Sequence, residues 1–331
     1  MSVSLIAGDL FAAGAGEQQP HLTIPYLDPP PVLDGRMRPG EWKRAAQMTG
    51  LLTLAGSLAP LQTTVRAGYD ADNLYISFVS HSPSPIRKEV KQHDGPVNRE
   101  DAFEIYLQPE FGTRKYYLFS GNSIGTQLDA RSVSGELQLE WTADWRTSNH
   151  LEYDSYLVAS TWTSEIAIPF ATLGFEGAPE IGTCWAANFV RDWSADQLHR
   201  DAGDAERYTT WARTGGTLHA PDKFGTLVFG GDVPGVQIAS LGALTSGRID
   251  ISGTIITDDE RSLQLDWAVT EQGSPSRELC SGSEKLECEE AAGGSVTFHI
   301  DDALDLSDRL PSLAMAEATK SLPVIFTLVL A

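Results

Sequence analysis

Three acidic residues stand close together in the segment NREDAFEIYLQPEFG, residues 98–112, ahead of an alternating apolar run. Glu100, Asp101 and Glu104 could act in catalysis, bind a ligand or hold a loop. A glycosidase needs two carboxyl groups at a fixed separation across the scissile bond. Asp101 and Glu104 are three residues apart at the start of a predicted strand, so their side chains point to opposite faces. The spacing favours one acid in a ligand site and others that brace a loop, rather than an acid/base pair.

Other catalytic patterns are weak in this chain. It has no HExxH, P-loop, GxGxxG or EF-hand motif, and its seven histidines include no HxH or HxxxH pair. The segment GNSIG, residues 121–125, fits GxSxG formally, but a nucleophile elbow requires a strand before the serine and a helix after it. Here KYYLFS precedes it and TQLDAR follows it, which predicts a β-hairpin turn. The motifs therefore favour a protein that is not an enzyme.

Aromatic side chains beside polar groups are typical of sugar sites, because sugar rings present apolar C–H faces. Trp145 in EWTADWR and Trp193 in RDWSAD lie outside the clearest strand cores. We therefore take both as candidates for stacking on a ligand ring. Trp162, Trp185 and Trp267 stand in alternating strands and are expected in the core.

The turn YDADN, residues 69–73, brings Asp70 and Asp72 close together. Carboxylate oxygens are the ligands that Ca²⁺ prefers, so calcium is a candidate cofactor at these two residues. An ordinary Asx turn accounts for the same residues without a metal. Both interpretations stay open at this point.

The three cysteines bear on whether the protein resides in an oxidising compartment. Cys280 and Cys288 flank the polar segment SGSEKLE, which predicts a loop closed by a disulfide and an oxidising environment; two unrelated surface cysteines are the alternative. Cys184, in the apolar segment CWAANFV, is expected to be a buried free thiol. The N-terminal segment lacks a basic region and carries Asp9 within its short apolar part, so no signal peptide is evident.

The net charge of the chain limits the kinds of partner that it can bind. Acidic residues outnumber basic ones by 45 to 24, which gives a formal net charge of -21. That field repels polyphosphates and anionic membrane surfaces, so nucleic acid is excluded as a partner, while neutral or cationic ligands suit it. No apolar run approaches the roughly 20 residues that a membrane span needs.

The elements that must position these residues are almost all β-strands. Short alternating segments follow one another from LDPPPVLDG onward, separated by Gly, Pro, Asn and Asp, which predicts an all-β chain built from antiparallel sandwiches. Residues 1–24 are expected to be a flexible lead, and residues 25–231 a first β-sandwich. After the Gly/Pro break at GGDVPG, residues 236–331 are expected to form a smaller, Ig-like β-sandwich.

Six segments, taken in order, resemble a family 9 carbohydrate-binding module over residues ~25–230. They are PPPVLDGRMRPGEWKRA, TVRAGYDADNLYISF, REDAFEIYLQP, SEIAIPFATLG, WAANFVRD and TWARTGGTLHAPDKFGTLVF. The resemblance implies an antiparallel, DOMON-like β-sandwich, often stabilised by calcium and not itself catalytic. Such modules are usually attached to secreted glycosidases or found in other extracytoplasmic proteins.

The resemblance also assigns ligand positions. Glu104 matches the family's ligand-binding Glu at the strand start. Two tryptophans that clamp a terminal sugar in the family correspond here to Asn98 and Leu218. The sugar clamp is therefore absent, and a ligand site on this rim would draw on Asn98, Arg99, Glu104, Trp145, Trp193 and His219.

The expected function is non-catalytic carbohydrate binding, with the second β domain as an accessory, in a secreted polysaccharide-degrading system. The expected partners are a glycan and a glycoside hydrolase domain or surface protein, in an extracellular or periplasmic location. The alternative is a structural or interaction module that has lost sugar binding, within a larger enzyme or envelope protein. Haem binding and an intrinsic glycosidase activity rank below both.

Overall fold

The computed structural model of this chain describes residues 3–6, 19–56, 59–83, 85–154, 159–194, 207–232, 235–240, 248–256, 262–271, 277–287, 295–303 and 324–330. Among these residues no helix is long and apolar enough to cross a membrane. Three 3-10 turns occur, at Val97–Arg99, Phe170–Leu173 and Pro221–Lys223.

All the other regular elements that the structure describes are β-strands. They are β1 (Val3–Ile6), β2 (His21–Ile24), β3 (Ala46–Met48), β4 (Leu52–Thr53), β5 (Thr63–Tyr69), β6 (Asn73–Ser82), β7 (Ala102–Gln108), β8 (Tyr116–Asn122), β9 (Gln127–Ser132), β10 (Leu137–Gln138), β11 (Arg146–Asp154), β12 (Ala159–Pro169), β13 (Cys184–Asp192), β14 (Tyr208–Thr210), β15 (Gly225–Phe229), β16 (Gly235–Ser240), β17 (Arg248–Ile256), β18 (Ser262–Glu271), β19 (Arg277–Glu287), β20 (Ser295–Ala303) and β21 (Val324–Leu330). The predicted all-β, antiparallel fold class is confirmed.

The chain divides into two compact units. One is Ile24–Asp232, and the other combines Met1–Thr23 with Val233–Ala331. The first unit extends one residue beyond each end of the range 25–231 expected from the sequence.

The unit Ile24–Asp232 is a sandwich of two sheets. One sheet has the strand order β10-β9-β8-β7-β13-β15, with β14 and β4 continuing from β13. The other has the order β11-β12-β6-β5-β3. Aromatic rings fill the space between them: the rings of Phe78 on β6 and Phe103 on β7 stack with centroids 5.2 Å apart, and Trp162 on β12 lies 6.1 Å from Phe103.

β7 is covered on both faces, because every residue from Ala102 to Gln108 is buried. Phe103 and Ile105 point toward the second sheet, so the alternation of a strand places Glu104 and Tyr106 on the opposite face. A second hydrophobic cluster covers that opposite face, and it includes Val97 from the turn before β7. The candidate site lies on this face.

The N-terminal segment differs from the expected flexible lead. β1 pairs with β2, with Leu5 opposite Leu22, and it pairs with β21 over four residues from Val3 opposite Leu330 to Ile6 opposite Thr327. Residues 1–2 and 7–18 lie outside the described part of the chain. A strand from the beginning of the chain thus belongs to the same unit as the C-terminal strands, a pairing that no local pattern indicates.

The predicted disulfide loop is wrong. The segment between the two cysteines continues β19, which runs unbroken to Glu287, and Cys280 carries a free thiol. An extended strand rises about 3.3 Å per residue, which places Glu287 roughly 23 Å from Cys280. A disulfide needs Cα atoms within about 7 Å. Cys288, the next residue, lies outside the described residues.

The expectation for Cys184 is also wrong. Its thiol is free, as expected, but the residue is exposed rather than buried. It stands at the first position of β13, where the strand emerges at the edge of the molecule before its buried stretch begins. The apolar neighbours that suggested burial belong to the inner part of that strand.

Candidate functional site

Glu100 braces the loop before β7, as its position suggests. One of its carboxylate oxygens accepts hydrogen bonds from the main-chain N–H groups of Glu89 (2.6 Å) and Val90 (3.1 Å). The other accepts a bond of 2.7 Å from the side-chain amide of Asn122 on β8. A carboxylate used in this way at both oxygens fixes the loop to the sheet and leaves little capacity for a ligand.

Asp101 forms a buried ion pair on the inner face of the sheet. Its Oδ1 accepts a bond of 2.8 Å from Nη2 of Arg191, and neither side chain has any exposed surface. The Arg191 guanidinium lies between two indole rings, 4.8 Å from Trp162 and 4.3 Å from Trp193. Main-chain carbonyls of Ala102 and Asp192 accept further bonds from it. The charge of Asp101 is thus neutralised by Arg191 inside the sandwich.

Glu104 lies on the opposite face from Asp101, as the three-residue spacing predicts. It stands directly across from Ser120 on β8 and Val190 on β13. Its carboxylate accepts a bond of 2.5 Å from the hydroxyl of Tyr106. Only 4% of its surface is exposed.

Asp192 is a second carboxyl on the same face. It lies one strand position beyond Val190, across from Ala102, and it is 0% exposed. No hydrogen-bond donor of the described residues reaches either of its carboxylate oxygens. The hydroxyl of Ser120, buried opposite Glu104, likewise has no partner there. The face therefore carries polar groups that the described protein contacts do not satisfy.

The two carboxyls influence each other's protonation. Burial raises the pKa of both Glu104 and Asp192. The charge of Glu104 raises the pKa of Asp192 further, while Arg191 and Arg207 lower it by a smaller amount. The raised pKa of Asp192 favours its protonated form beside an ionised Glu104.

Aromatic rings surround the pair. The ring of Tyr106 lies 5.5 Å from that of Phe224, 6.0 Å from that of Tyr116 and 5.7 Å from the imidazole of His219. A hydrogen bond of 2.8 Å joins the Tyr116 hydroxyl to Nδ1 of His219, and His219 itself is exposed. His219, a predicted site residue, is thus the outer member of an aromatic group that leads down to Glu104.

Asn98 and Arg99 lie beside this face on the short 3-10 turn Val97–Arg99, and both are exposed. Leu218, the second position of the expected clamp, is buried in the same hydrophobic cluster as Val97 and Tyr106. Asn98 and Leu218, the two positions that the resemblance assigns to the clamp, therefore lie beside this face and in the cluster that covers it. They carry an amide and an aliphatic side chain.

The prediction that Trp145 and Trp193 are exposed for stacking is wrong. Trp193 is 0% exposed and covers Arg191, while its Nε1 donates to Thr209 Oγ1 at 3.2 Å. Trp145 is 5% exposed, lies edge-on to Phe119 and donates to Asp129. A buried indole ring has no face to offer a sugar, so both tryptophans are core residues despite their position outside the clearest strands.

The structure favours the turn over the metal at Asp70 and Asp72. Oδ1 of Asp70 accepts bonds from the main-chain N–H groups of Asp72 (2.8 Å) and Asn73 (2.7 Å). Its Oδ2 accepts a bond of 2.8 Å from the Tyr75 hydroxyl. This is the arrangement of an Asx turn, and the calcium role of these residues stays a prediction without support from the contacts.

A different group among the described residues has donors that could hold a metal ion. Ligand atoms of His93, Asp94 and Asp129 all lie within 4.8 Å of one another. Nδ1 of His93 is 3.0 Å from Oδ2 of Asp94, and its Nε2 is 3.5 Å from Oδ1 of Asp129. A histidine bridging two carboxylates explains these contacts without a metal. Sequence reasoning missed the group because Asp129 is distant from the other two along the chain.

The part of the chain that forms this sandwich is similar to known proteins. Residues 33–231 match the family model described as carbohydrate family 9 binding domain-like. A putative carbohydrate-binding protein from Bacteroides uniformis is similar in structure at 18% identity and a TM-score of 0.49, covering 62% of this chain and 98% of that one. A family 9 carbohydrate-binding module from Caldicellulosiruptor kristjanssonii in complex with cellotriose is similar at 15% identity and a TM-score of 0.46, covering 64% of this chain and 95% of that one.

A sequence relative is a secreted triacylglycerol lipase from Gibberella zeae. The two are 22% identical over 302 residues, which cover 87% of this chain and 47% of the relative. The chain therefore spans about half the length of the relative that it matches.

Proposed function

This chain belongs to the carbohydrate family 9 binding domain-like family over residues 33–231, and from that membership we propose that it binds a glycan without catalysing a reaction. The glycan binds against the sheet face that carries Glu104, between the turn at Val97–Arg99 and the loop of His219. Its hydroxyl groups donate to the Glu104 carboxylate, and a sugar ring stacks against His219 or Tyr116.

The observation that supports this site is a buried carboxylate with spare acceptor capacity among aromatic rings. An ionised carboxylate has about four lone-pair sites, and Glu104 receives the Tyr106 hydroxyl at one oxygen. Apolar rings with a few convergent polar groups are the usual composition of a small-molecule site. The rings of Tyr106, Tyr116 and Phe224 and the imidazole of His219 supply that composition here.

The burial of Glu104 affects the affinity that we expect for a ligand. Because the residue is 4% exposed, a ligand reaches it only after side chains above it are displaced. His219 is exposed and lies outermost, so it is the first group to move. With Asn98 and Leu218 in place of two stacking tryptophans, we expect weak affinity, with dissociation constants in the millimolar range.

Titration calorimetry of the full chain against a panel of neutral and charged sugars tests the proposal. Glu104→Gln removes the charge of the central acceptor and should weaken binding about tenfold or more, the effect of losing a hydrogen bond to a charged group. Glu136→Gln is the matched control, because it makes the same change at an exposed residue before β10. Absence of heat with every sugar at high concentration would contradict the proposal.

A second candidate is a structural module that has kept the fold and lost the ligand. The burial of Leu218 at a clamp position, within the cluster that covers Tyr106, favours it. In that case no sugar changes the melting temperature of the protein. Glu104→Gln should then alter stability alone.

The setting of the module is a proposal of the same kind. We assign it to a secreted polysaccharide-degrading system, in which it serves a glycoside hydrolase or surface protein outside the cytoplasm. The family membership supports a carbohydrate partner. Fractionation of the native host, with detection of the chain in the medium or cell envelope, tests the location.

A further inference from the structure

A second buried acid beside Glu104 distinguishes this sheet face from a site for neutral sugars alone. Asp192 lies on the strand next to Glu104 and has no exposed surface. None of the described donors bonds to its carboxylate. Among the described residues its near neighbour is the Glu104 carboxyl, and two buried carboxyls side by side are costly unless a proton or a cation lies between them.

Among the described residues, the two cations nearest in the chain, Arg191 and Arg207, do not supply that cation. Arg191, the neighbouring residue, directs Nη2 to Asp101 on the inner face and donates to main-chain carbonyls. Arg207 donates to the main-chain oxygens of Trp193 and Arg99. Both guanidinium groups influence Asp192 through space, but neither forms a hydrogen bond with its side chain.

The other groups on this face are neutral or acidic. Tyr106 and Tyr116 contribute hydroxyls, and burial raises the pKa of both, so they remain neutral at physiological pH. Packing of the His219 imidazole against Tyr106 and Tyr116 partly desolvates it, which lowers its pKa and favours its uncharged form. Ser120 adds a buried hydroxyl without a partner, directly across from Glu104. The face thus presents two carboxyls, hydroxyls and aromatic rings, and none of the described cations is hydrogen-bonded to the Asp192 carboxyl.

We propose that Asp192 and Glu104 together make this site selective for glycans that carry a protonated amine, such as glucosamine units, over neutral glycans. The inference rests on the proposed carbohydrate-binding function. The ammonium group takes the place of the proton that the two carboxyls share, and that proton passes from Asp192 to the buffer. Ser120 accepts a further hydrogen from the amine or a neighbouring hydroxyl, and the aromatic rings pack against the sugar ring.

The experiment compares glucosamine with glucose and N-acetylglucosamine by titration calorimetry of the full chain at pH 7. N-acetylglucosamine is the matched ligand, because acetylation removes the charge and keeps the ring. We expect glucosamine to bind about tenfold tighter or more, as a charge-assisted hydrogen bond allows. Its binding heat should vary with the ionisation enthalpy of the buffer, since a proton is released.

Asp192→Asn is the decisive variant. The amide is close in shape to the protonated acid, so the fold should survive, and thermal melting checks this. The variant should lose the preference for glucosamine over glucose and the release of the proton. Glu136→Gln, the same replacement of an acid by its amide at an exposed site, should behave as the unchanged chain.

The other possible results contradict different parts of the proposal. Equal binding of glucosamine and glucose overturns the selectivity and leaves the proposed function standing. Binding of no sugar overturns both. A preference for glucosamine that persists in Asp192→Asn reflects the overall charge of -21 and overturns the assignment to this site. If Asp192 and Glu104 form a metal site, calcium chloride titrated alone should give heat that is lost in Asp192→Asn. That result also overturns the proposal.

Discussion

Carboxyl groups on the two faces of one sheet have opposite surroundings in this protein. Asp101 faces the interior of the sandwich, where the Arg191 guanidinium neutralises it between two indole rings. Glu104 and Asp192 face the other side, where Glu104 accepts a hydrogen bond from Tyr106 and the two carboxyls influence each other's pKa. Asp101 and Glu104, three residues apart in the sequence, thus have different roles. Asp101 forms an ion pair, and Glu104 is available to a ligand.

The buried pair should make the stability of the protein depend on pH. The pKa of Asp192 is raised in the folded state, mainly by burial and then by the charge of Glu104. Below the unfolded value of about 3.9 both states hold the proton; as the pH rises toward the folded value, only the unfolded state loses it. The stability present at low pH is therefore lost at up to about 1.4 kcal/mol per pH unit.

Asp192→Asn tests this linkage, because the amide cannot ionise. The variant should be more stable than the unchanged chain at pH 7, and the difference should shrink as the pH falls toward 4. Urea unfolding at several pH values measures it. A variant that is less stable at pH 7, with the same pH slope as the unchanged chain, would contradict the shared proton.

The buried ion pair should contribute strongly to stability. Asp101→Asn leaves the Arg191 charge buried without its counter-ion, which should lower the free energy of unfolding by about 3–5 kcal/mol. Lys115→Met is the control, because its 3.3 Å ion pair with Glu110 joins side chains that are 57% and 63% exposed. That substitution should cost less than about 1 kcal/mol. Equal costs in urea unfolding would show that the interior position of the pair makes no difference.

At the scale of elements, two loops determine what can reach Glu104. The loop before β7 is tied to the sheet by Glu100 through Glu89, Val90 and Asn122. The loop after β14 inserts Leu218 into the hydrophobic cluster on this face. The first loop is thus held by hydrogen bonds and the second by packing, and between them they cover the carboxyl pair.

An aromatic ring on the first loop should strengthen ligand binding. Asn98 is exposed on the turn Val97–Arg99, and the resemblance of the sequence assigns a clamp tryptophan to this position. Asn98→Trp should raise the affinity for a bound sugar about two- to tenfold, the gain expected from one aromatic contact of about 0.5–1.5 kcal/mol. Asn98→Ala is the control and should give no gain. Unchanged affinity in Asn98→Trp, measured by titration calorimetry, would place the ligand elsewhere.

At the scale of the whole molecule, the sandwich has its own core and should fold without the other unit. The unit Ile24–Asp232 encloses its stacked aromatic rings between two sheets of its own strands. A fragment of residues 19–232, which keeps β2 intact, should show a single cooperative thermal transition and the near-ultraviolet circular dichroism of packed aromatic rings. Lack of a cooperative transition would mean that the sandwich depends on the rest of the chain. The Glu104→Gln variant of the fragment then reports on the site by itself.

The sequence by itself determined the all-β class, the antiparallel strands and the family segments in their order. These features are local: the alternation of apolar residues and the turn-forming residues between strands act over a few positions. The same local reasoning correctly placed Asp101 and Glu104 on opposite faces. It also indicated the hairpin at GNSIG, where β8 ends at Asn122 and β9 begins at Gln127.

Only the tertiary structure decided which side chains are buried and which meet. Trp145 is a core residue because it packs beside Asp129 on β9, to which it donates a hydrogen bond. Trp193 is a core residue because it covers the Arg191 guanidinium and donates to Thr209 on β14. Cys280 stays free because the segment after it extends a strand rather than closing a loop. The register between β7 and β13 brings Asp192 to the face of Glu104, and that register depends on packing across the whole sheet, which no local pattern of residues encodes.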